Sequence, residues 1–209
     1  MWIDSFLDLI FPPSCDVCRK RSDRALCPSC FKQIKFMKPQ FGINSAAVYD
    51  GVVREAIHRF KFEGRKRLAG PLGHLLVKYI SELPNIDMRE MHYIVPVPLH
   101  AKRFRKRGFN QAELLSNILS KYYSIPVFPI LKRTIDTKPQ FSLPIEHRGN
   151  NVRGAFQAGV ERGKIEGKNL ILFDDIYTTG ATINECAGVL RKAGARKVEV
   201  VVLSRAAAD

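Results

Sequence analysis

The segment that constrains this chain most is LILFDDIYTTGAT, residues 170–182. A short run that is apolar throughout, 169–173 with its leading Asn, reads as a strand covered on both faces, as in a parallel sheet. It leads straight into two acids, Asp174 and Asp175, and then into Thr178, Thr179, Gly180, Ala181 and Thr182, which open a helical pattern. A Gly/Thr loop at a helix N-terminus aims backbone N–H groups outward in a positive field, which suits a phosphate monoester. The threonine hydroxyls add donors, and Gly180 permits close backbone approach or a positive φ. Two carboxylates beside such a loop are wrong for a bare anion. They are right for a sugar phosphate, because carboxylates accept hydrogen bonds from vicinal hydroxyls. The segment therefore predicts recognition of a ribose 5-phosphate; the plain alternative is an ordinary capped strand–loop–helix.

The rest of the chain repeats the alternation. Strands are expected at 44–49, 93–97, 126–131, 169–173 and 198–203, with helices at 51–62, 68–81, 110–122 and 181–193. Leu114, Leu115, Ile118 and Leu119 form one helical stripe, and Ile183, Ala187 and Leu190 another. The fold class is α/β: a parallel sheet flanked by helices, whose ligands bind beyond the carboxyl ends of its strands. At one such end, after 93–97, stand Lys102, Arg103, Arg105, Lys106 and Arg107. This reads as a basic loop that holds pyrophosphate, since Arg forks bind phosphate oxygens in pairs. With Phe104 and Phe109 it could equally stack bases and neutralise a nucleic-acid backbone; as a plain charge run it would be a solvated face. Asn110 is a candidate N-cap, and His100 is the histidine placed nearest this site.

Residues 15–30, CDVCRKRSDRALCPSC, hold a second constraint. Cys15 and Cys18 form one C-x-x-C, and Cys27 and Cys30 another. Each pair lets two thiolates reach one ion from a tight turn, and together they complete the tetrahedral sulfur shell of structural zinc. Unligated thiols or a redox pair are the alternatives. Arg19, Lys20, Arg21 and Arg24 offset the charge of such a centre. Cys186 stands alone in a helical pattern and reads as a small buried hydrophobe. Residues 2–11 carry a short amphipathic pattern, and Pro39 marks a boundary. The expected division is 1–40, N-terminal helix and zinc module, and 41–209, sheet domain.

Lys and Arg number 34 against 20 Asp and Glu, a balance of +14. That points to a polyanionic partner. No apolar run approaches the ~20 residues of a membrane span. The first eleven residues lack the basic start of a secretory signal. With an odd cysteine count, this predicts a reducing, cytosolic compartment. The basic run from Arg54 to Arg67 is surplus to what a small metabolite needs.

Four features occur in order: F-P-P-x-C-x-x-C, P-V-P-L-H…R-G-F-N-Q, R-T-x-D-T-x-P-Q with N-V-R-G-A-F, and D-D-I-Y-T-T-G-A-T. In these the chain resembles the ComF family of competence-associated, phosphoribosyltransferase-like proteins. Its 170–182 segment resembles the phosphoribosyl pyrophosphate (PRPP) signature of type I phosphoribosyltransferases. The resemblance implies a phosphoribosyltransferase-like sheet that binds PRPP with Mg2+ bridging the pyrophosphate. Asp174 and Asp175 would hold the ribose hydroxyls, and Thr178 to Thr182 the 5-phosphate. It implies a part in natural transformation, handling incoming single-stranded DNA alongside other DNA-uptake proteins. The expected location is cytoplasmic, free or peripheral at the inner face of the membrane. The stretch 131–156 corresponds to a long mobile loop, in which Arg133, Lys138, Arg148 and Arg153 would close over a ligand or contact DNA. Two other functions stay open. One is an active phosphoribosyltransferase, although no acceptor pocket is legible; the other is a regulator in which PRPP tunes DNA binding.

Overall fold

The computed structural model describes residues 12–38, 43–137 and 152–206. Its strands are Asn44–Val48 (β1), Tyr93–Pro96 (β2), Leu131–Arg133 (β3), Phe156–Ala158 (β4), Asn169–Tyr177 (β5) and Lys197–Arg205 (β6). Its α-helices are Pro28–Phe31 (α1), Gly51–Phe62 (α2), Ala69–Ser81 (α3), Ala101–Arg107 (α4), Gln111–Tyr123 (α5) and Ala181–Lys192 (α6). The main sheet runs β1-β6-β5-β2 and every pairing in it is parallel.

The apolar run of β5 is explained by its two covered faces. Ile171 and Phe173 enter a core with Ile57 and Phe60 of α2, Leu72 and Leu75 of α3 and Leu115 and Leu119 of α5. Leu170 and Leu172, one residue out of phase, enter a second core with Ile183, Ala187 and Leu190 of α6. Alternate side chains of a strand leave opposite faces, so both sets must be apolar. Cys186 belongs to the second core and is fully buried, as its isolation in the sequence indicated.

The neighbours of β5 end at different heights. Pairing with β6 continues to Tyr177, opposite Arg205. Pairing with β2 stops at Pro96, opposite Phe173. The next residue, Val97, donates to the Phe173 carbonyl at 2.9 Å, and the chain then turns away through Pro98. Proline offers no N–H to extend a ladder. Asp174 and Asp175 thus lie within the strand rather than after it, with one edge open toward a cleft.

The expected strand at 126–131 is reduced to a single parallel bridge between Val127 and Ile94. Pro126 and Pro129 deny it donors on either side. The chain then crosses into β3, which pairs antiparallel with β4 as a separate ribbon. Arg133 and Arg153 fall among the described residues; Lys138, Arg148, Pro39 and the 2–11 pattern lie outside them.

The cysteine module is docked on the sheet. Leaving it, Phe36 bridges Ala47 antiparallel, with Met37 N–H donating to Ala46 O and Val48 N–H to Lys35 O. This covers the edge of β1, which would otherwise present unpaired backbone groups. Leu26, Cys27, Cys30 and Ile34 share the core of α2 and α3. Much of the basic run that looked like surplus is used in this docking. Arg59 pairs with Glu55 and donates to Asp16 O, Arg65 stands 3.8 Å from the Asp16 carboxylate, and Arg67 donates to Asp23 O. Among the described residues no helix is long and apolar enough to cross a membrane.

Candidate functional site

Cys15 and Cys18 flank one turn, while Cys27 caps α1 and Cys30 lies inside it. All four sulfurs fall within 4.8 Å of one another. Cys15 Sγ is 3.9 Å from Cys30 Sγ, and Cys18 Sγ is 3.7 Å from Cys27 Sγ. A tetrahedron with Zn–S bonds of ~2.3 Å has an edge of about 3.8 Å, so the sulfur set fits zinc. Burial opposes ionisation of Cys15, but the backbone amides around Cys18, Cys27 and Val17 outweigh it and bring the thiol down to about 6. A shell of four protein sulfurs leaves no open position for chemistry, so the centre is structural.

The second site is a cleft of about 1060 Å³ at the carboxyl end of the sheet. Asp174, Asp175, Thr178 and Thr182 line one wall. The two acids leave opposite faces of β5. Asp175, 4% exposed, meets Lys61 of α2, whose Nζ is 2.6 Å from Oδ2. Asp174 faces the side of α6, within the electrostatic reach of Arg133 and Cys186. Burial, followed by the charge of Asp175, pushes the Asp174 carboxyl up to about 8, with Lys61 opposing the rise. Near neutrality it can therefore accept or donate a hydrogen bond at a sugar hydroxyl.

Beyond Tyr177 the chain turns through Thr178 and Thr179 into Gly180, which takes φ +78° as the N-cap of α6. Glycine at the N-cap has no side chain with which to cap the helix. Thr179 Oγ1 is buried without a hydrogen-bond partner. An orphaned hydroxyl beside a helix N-terminus suits a phosphate. Glycine is favoured at 180 for a second reason: a Cβ there would lie 2.7 Å from Cζ of Tyr177, whose ring would have to move.

The opposite wall corrects the expected basic loop. Residues 101–107 form a helix, α4. His100 caps it by accepting from Lys102 N–H, and Gly108, at φ +78°, closes it by donating to Phe104 O. Both capping residues stand in the sequence, but so dense a run of charge resembles a solvated loop. Helical spacing then separates the five cations. Arg103 and Arg107, one turn apart, line the cleft; Lys102, Arg105 and Lys106 are exposed outside it. Arg103 donates to Thr137 O, Arg133 to Thr137 Oγ1 and Arg107 to Gln111 Oε1. His100 Nδ1, which accepts from Lys102 N–H, also lies 3.6 Å from Asp136 Oδ1, and its visible role is the cap. Asn110 caps α5, as expected, through Ala112 N–H. Phe109 is buried against Phe60, whereas Phe104 is 46% exposed.

Burial lowers the pKa of both Arg107 and Arg133, and Arg103 adds to the effect on each. Three half-buried guanidiniums share one wall; Asp175 acts on Arg107, Asp174 and Asp136 on Arg133, and Asp136 lies 3.9 Å from Arg103. Cations held together at such a cost mark a site for an anion. Lys61 and Arg54 of α2 complete the cleft; in the sequence both fall in the basic run 54–67, which on sequence alone stands apart from the metabolite site.

The parallel sheet with its flanking helices resembles the phosphoribosyltransferase fold, and the chain carries a four-cysteine zinc ribbon. Residues 6–43 match the double zinc ribbon family. The chain is 36% identical over 152 residues to Competence protein F of Haemophilus influenzae, covering 72% of this chain and 66% of that protein. It is 30% identical over 206 residues to the DNA utilization protein YhgH of Escherichia coli K12, covering 91% and 89%. It is 30% identical over 208 residues to Competence protein ComFC of Streptococcus pneumoniae, covering 97% and 85%. The chain belongs to this family of competence and DNA-utilization proteins.

Two solved structures are among those to which the chain is similar. The glutamine PRPP amidotransferase of B. subtilis, complexed with ADP and GMP, is 24% identical, with a TM-score of 0.42 over 64% of this chain. The match spans 25% of that chain. The adenine phosphoribosyl transferase of Trypanosoma brucei, in complex with AMP, pyrophosphate and ribose-5-phosphate, is 12% identical. Its TM-score is 0.43, over 83% of this chain and 65% of that one.

Proposed function

We propose that this chain binds PRPP in the cleft and single-stranded DNA on its basic surface, and that it assists DNA uptake or the handling of imported DNA. In this reading residues 1–40 are the zinc module and 41–209 the ligand-binding domain. The protein works in the cytoplasm, free or at the inner face of the membrane, alongside other DNA-uptake proteins.

One observation carries the PRPP assignment. The acid pair Asp174 and Asp175 lines one cleft with Thr178 and Thr182 of the following loop and with the arginines at 103, 107 and 133. A ribose with phosphate at one end and pyrophosphate at the other calls for that set of groups. The carboxylates take the hydroxyls, the Thr/Gly loop takes the 5-phosphate, and the guanidiniums take the pyrophosphate. Mg2+ bound with PRPP supplies further neutralisation of the pyrophosphate charge. The DNA assignment is supported by the net charge, by the exposed cations of α4 and by what the relatives' names say of those proteins.

The size of the cleft favours a second reading. Small-molecule pockets run to about 1,000 Å³, and a cleft of about 1060 Å³ leaves space beside a sugar phosphate for an acceptor. An active phosphoribosyltransferase would let the acceptor attack C1 as pyrophosphate leaves, helped by positioning and by the arginines at the leaving group.

Calorimetric titration of PRPP and Mg2+ into the full chain tests the first reading, with Asp174→Asn/Asp175→Asn as control. Saturable binding that the double variant loses is expected; no binding to the wild type rejects it. In parallel, a labelled oligo-dT should bind at low salt and weaken steeply as salt rises, because phosphate contacts release counterions. Pyrophosphate release from PRPP with any member of a panel of bases and nucleotides selects the transferase.

A further inference from the structure

Helix α4 has two faces, and only one belongs to the cleft. Its outer side borders a second, shallower recess of about 540 Å³. Phe104 and Arg105 line it, with Pro98 and Leu99 from the end of β2 and Pro129 and Lys132 from the approach to β3. The floor is apolar and stiff, since Pro96, Pro98 and Pro129 line it with φ fixed by their rings. The lining carries three cations, Arg105, Lys132 and Arg133, against one acid, Glu113, and Arg105 and Lys132 are exposed. A lone exposed phenylalanine needs no explanation. Phe104 is different, because it stands 46% exposed over an apolar floor whose surroundings are mainly cationic.

We infer that this recess seats an unpaired nucleobase of single-stranded DNA, stacked on Phe104, with the flanking phosphates on Arg105 and Lys132. The inference rests on the DNA-binding reading above and gives it a location. An apolar ring on a rigid floor offers stacking without edge recognition, which is how single strands are held regardless of sequence. Duplex bases are already stacked on their neighbours and offer no free face. An acidic peptide would satisfy the rim but has no planar group for the ring. PRPP has no apolar face for it either, and the acid pair and Thr/Gly loop lie in the other cleft. DNA and PRPP thus occupy neighbouring recesses separated by α4, with Pro98, Leu99 and Arg133 common to the lining of both.

The experiment compares a labelled oligo-dT with an abasic oligomer of equal length and charge, by fluorescence anisotropy at low salt. The wild type should prefer oligo-dT by roughly five- to a hundredfold, the range that base–aromatic stacking covers. Phe104→Ala should bind both oligomers equally, at the abasic level, with its melting temperature and salt slope unchanged. Arg105→Gln/Lys132→Gln should weaken both oligomers alike and flatten the salt slope. A Phe104→Ala variant that keeps the preference overturns the inference, as does a wild type that binds both oligomers equally. Displacement of oligo-dT by poly-glutamate as readily as by unlabelled oligo-dT overturns it too. A wild type that binds neither oligomer removes the DNA-binding reading itself.

Discussion

Lys61 Nζ lies 2.6 Å from Asp175 Oδ2, joining α2 to the open end of β5 with both side chains largely withdrawn from water. Removing the cation leaves a carboxylate buried beside a second one. Lys61→Met should destabilise the chain by about 3 kcal/mol, the usual cost of breaking a buried pair. Adding Asp175→Asn should recover part of that loss, giving a clear coupling in a double-mutant cycle of urea unfolding. A single-variant loss below ~0.5 kcal/mol would show that the pair carries no structural weight.

Asp174 makes stability depend on pH. Its ordinary value is 3.8 and burial beside Asp175 raises it to about 8 in the folded chain. The unfolded chain thus releases the proton at lower pH than the folded one. Between these two values unfolding releases a proton, so stability falls as pH rises. Asp174→Asn removes that dependence. The variant should melt later than wild type at pH 8.5, by about 2 kcal/mol or roughly 4–8 °C, and the gap should close toward pH 4. Calorimetric scans across that range check it; a gap that does not vary with pH refutes the assignment.

Gly180 is held by two constraints, a positive φ and the ring of Tyr177. Gly180→Ala should therefore cost about 1–3 kcal/mol and weaken PRPP binding by more than tenfold. Tyr177→Ala in the same chain relieves the clash but not the backbone strain, so it should restore stability only in part. Full recovery would assign the whole effect to the ring.

The zinc centre should hold one ion per chain, measured by metal analysis of the purified protein. Cys27→Ser, or a strong chelator, should release it and lower the melting temperature by ten degrees or more. Binding free energies of structural zinc run to about 10 kcal/mol and couple directly to folding. The loss should extend beyond the ribbon, because Arg59 and the Phe36–Ala47 bridge tie it to α2 and β1. Amide exchange should report loosening in 51–62 as well as in 12–38. Loosening confined to the ribbon would show that the docking transmits nothing.

What could be read without the structure was local. Cys15, Cys18, Cys27 and Cys30 announce a sulfur shell because two residues between cysteines set the reach of one turn. Residues 169–182 announce strand, acid pair and glycine-started helix because all of them are contiguous. The four main helices follow from apolar periodicity and agree with the fold to within a residue or so at their ends. The tertiary structure decided which distant groups meet. It brought Lys61 to Asp175, turned Arg59, Arg65 and Arg67 toward the ribbon rather than toward a polyanion, and buried Phe109 while leaving Phe104 exposed. It also made a helix of 101–107 and so divided one run of charge between two sites. Backbone geometry over a few residues is imposed by the residues themselves, whereas the partner of a long charged side chain depends on how whole elements pack.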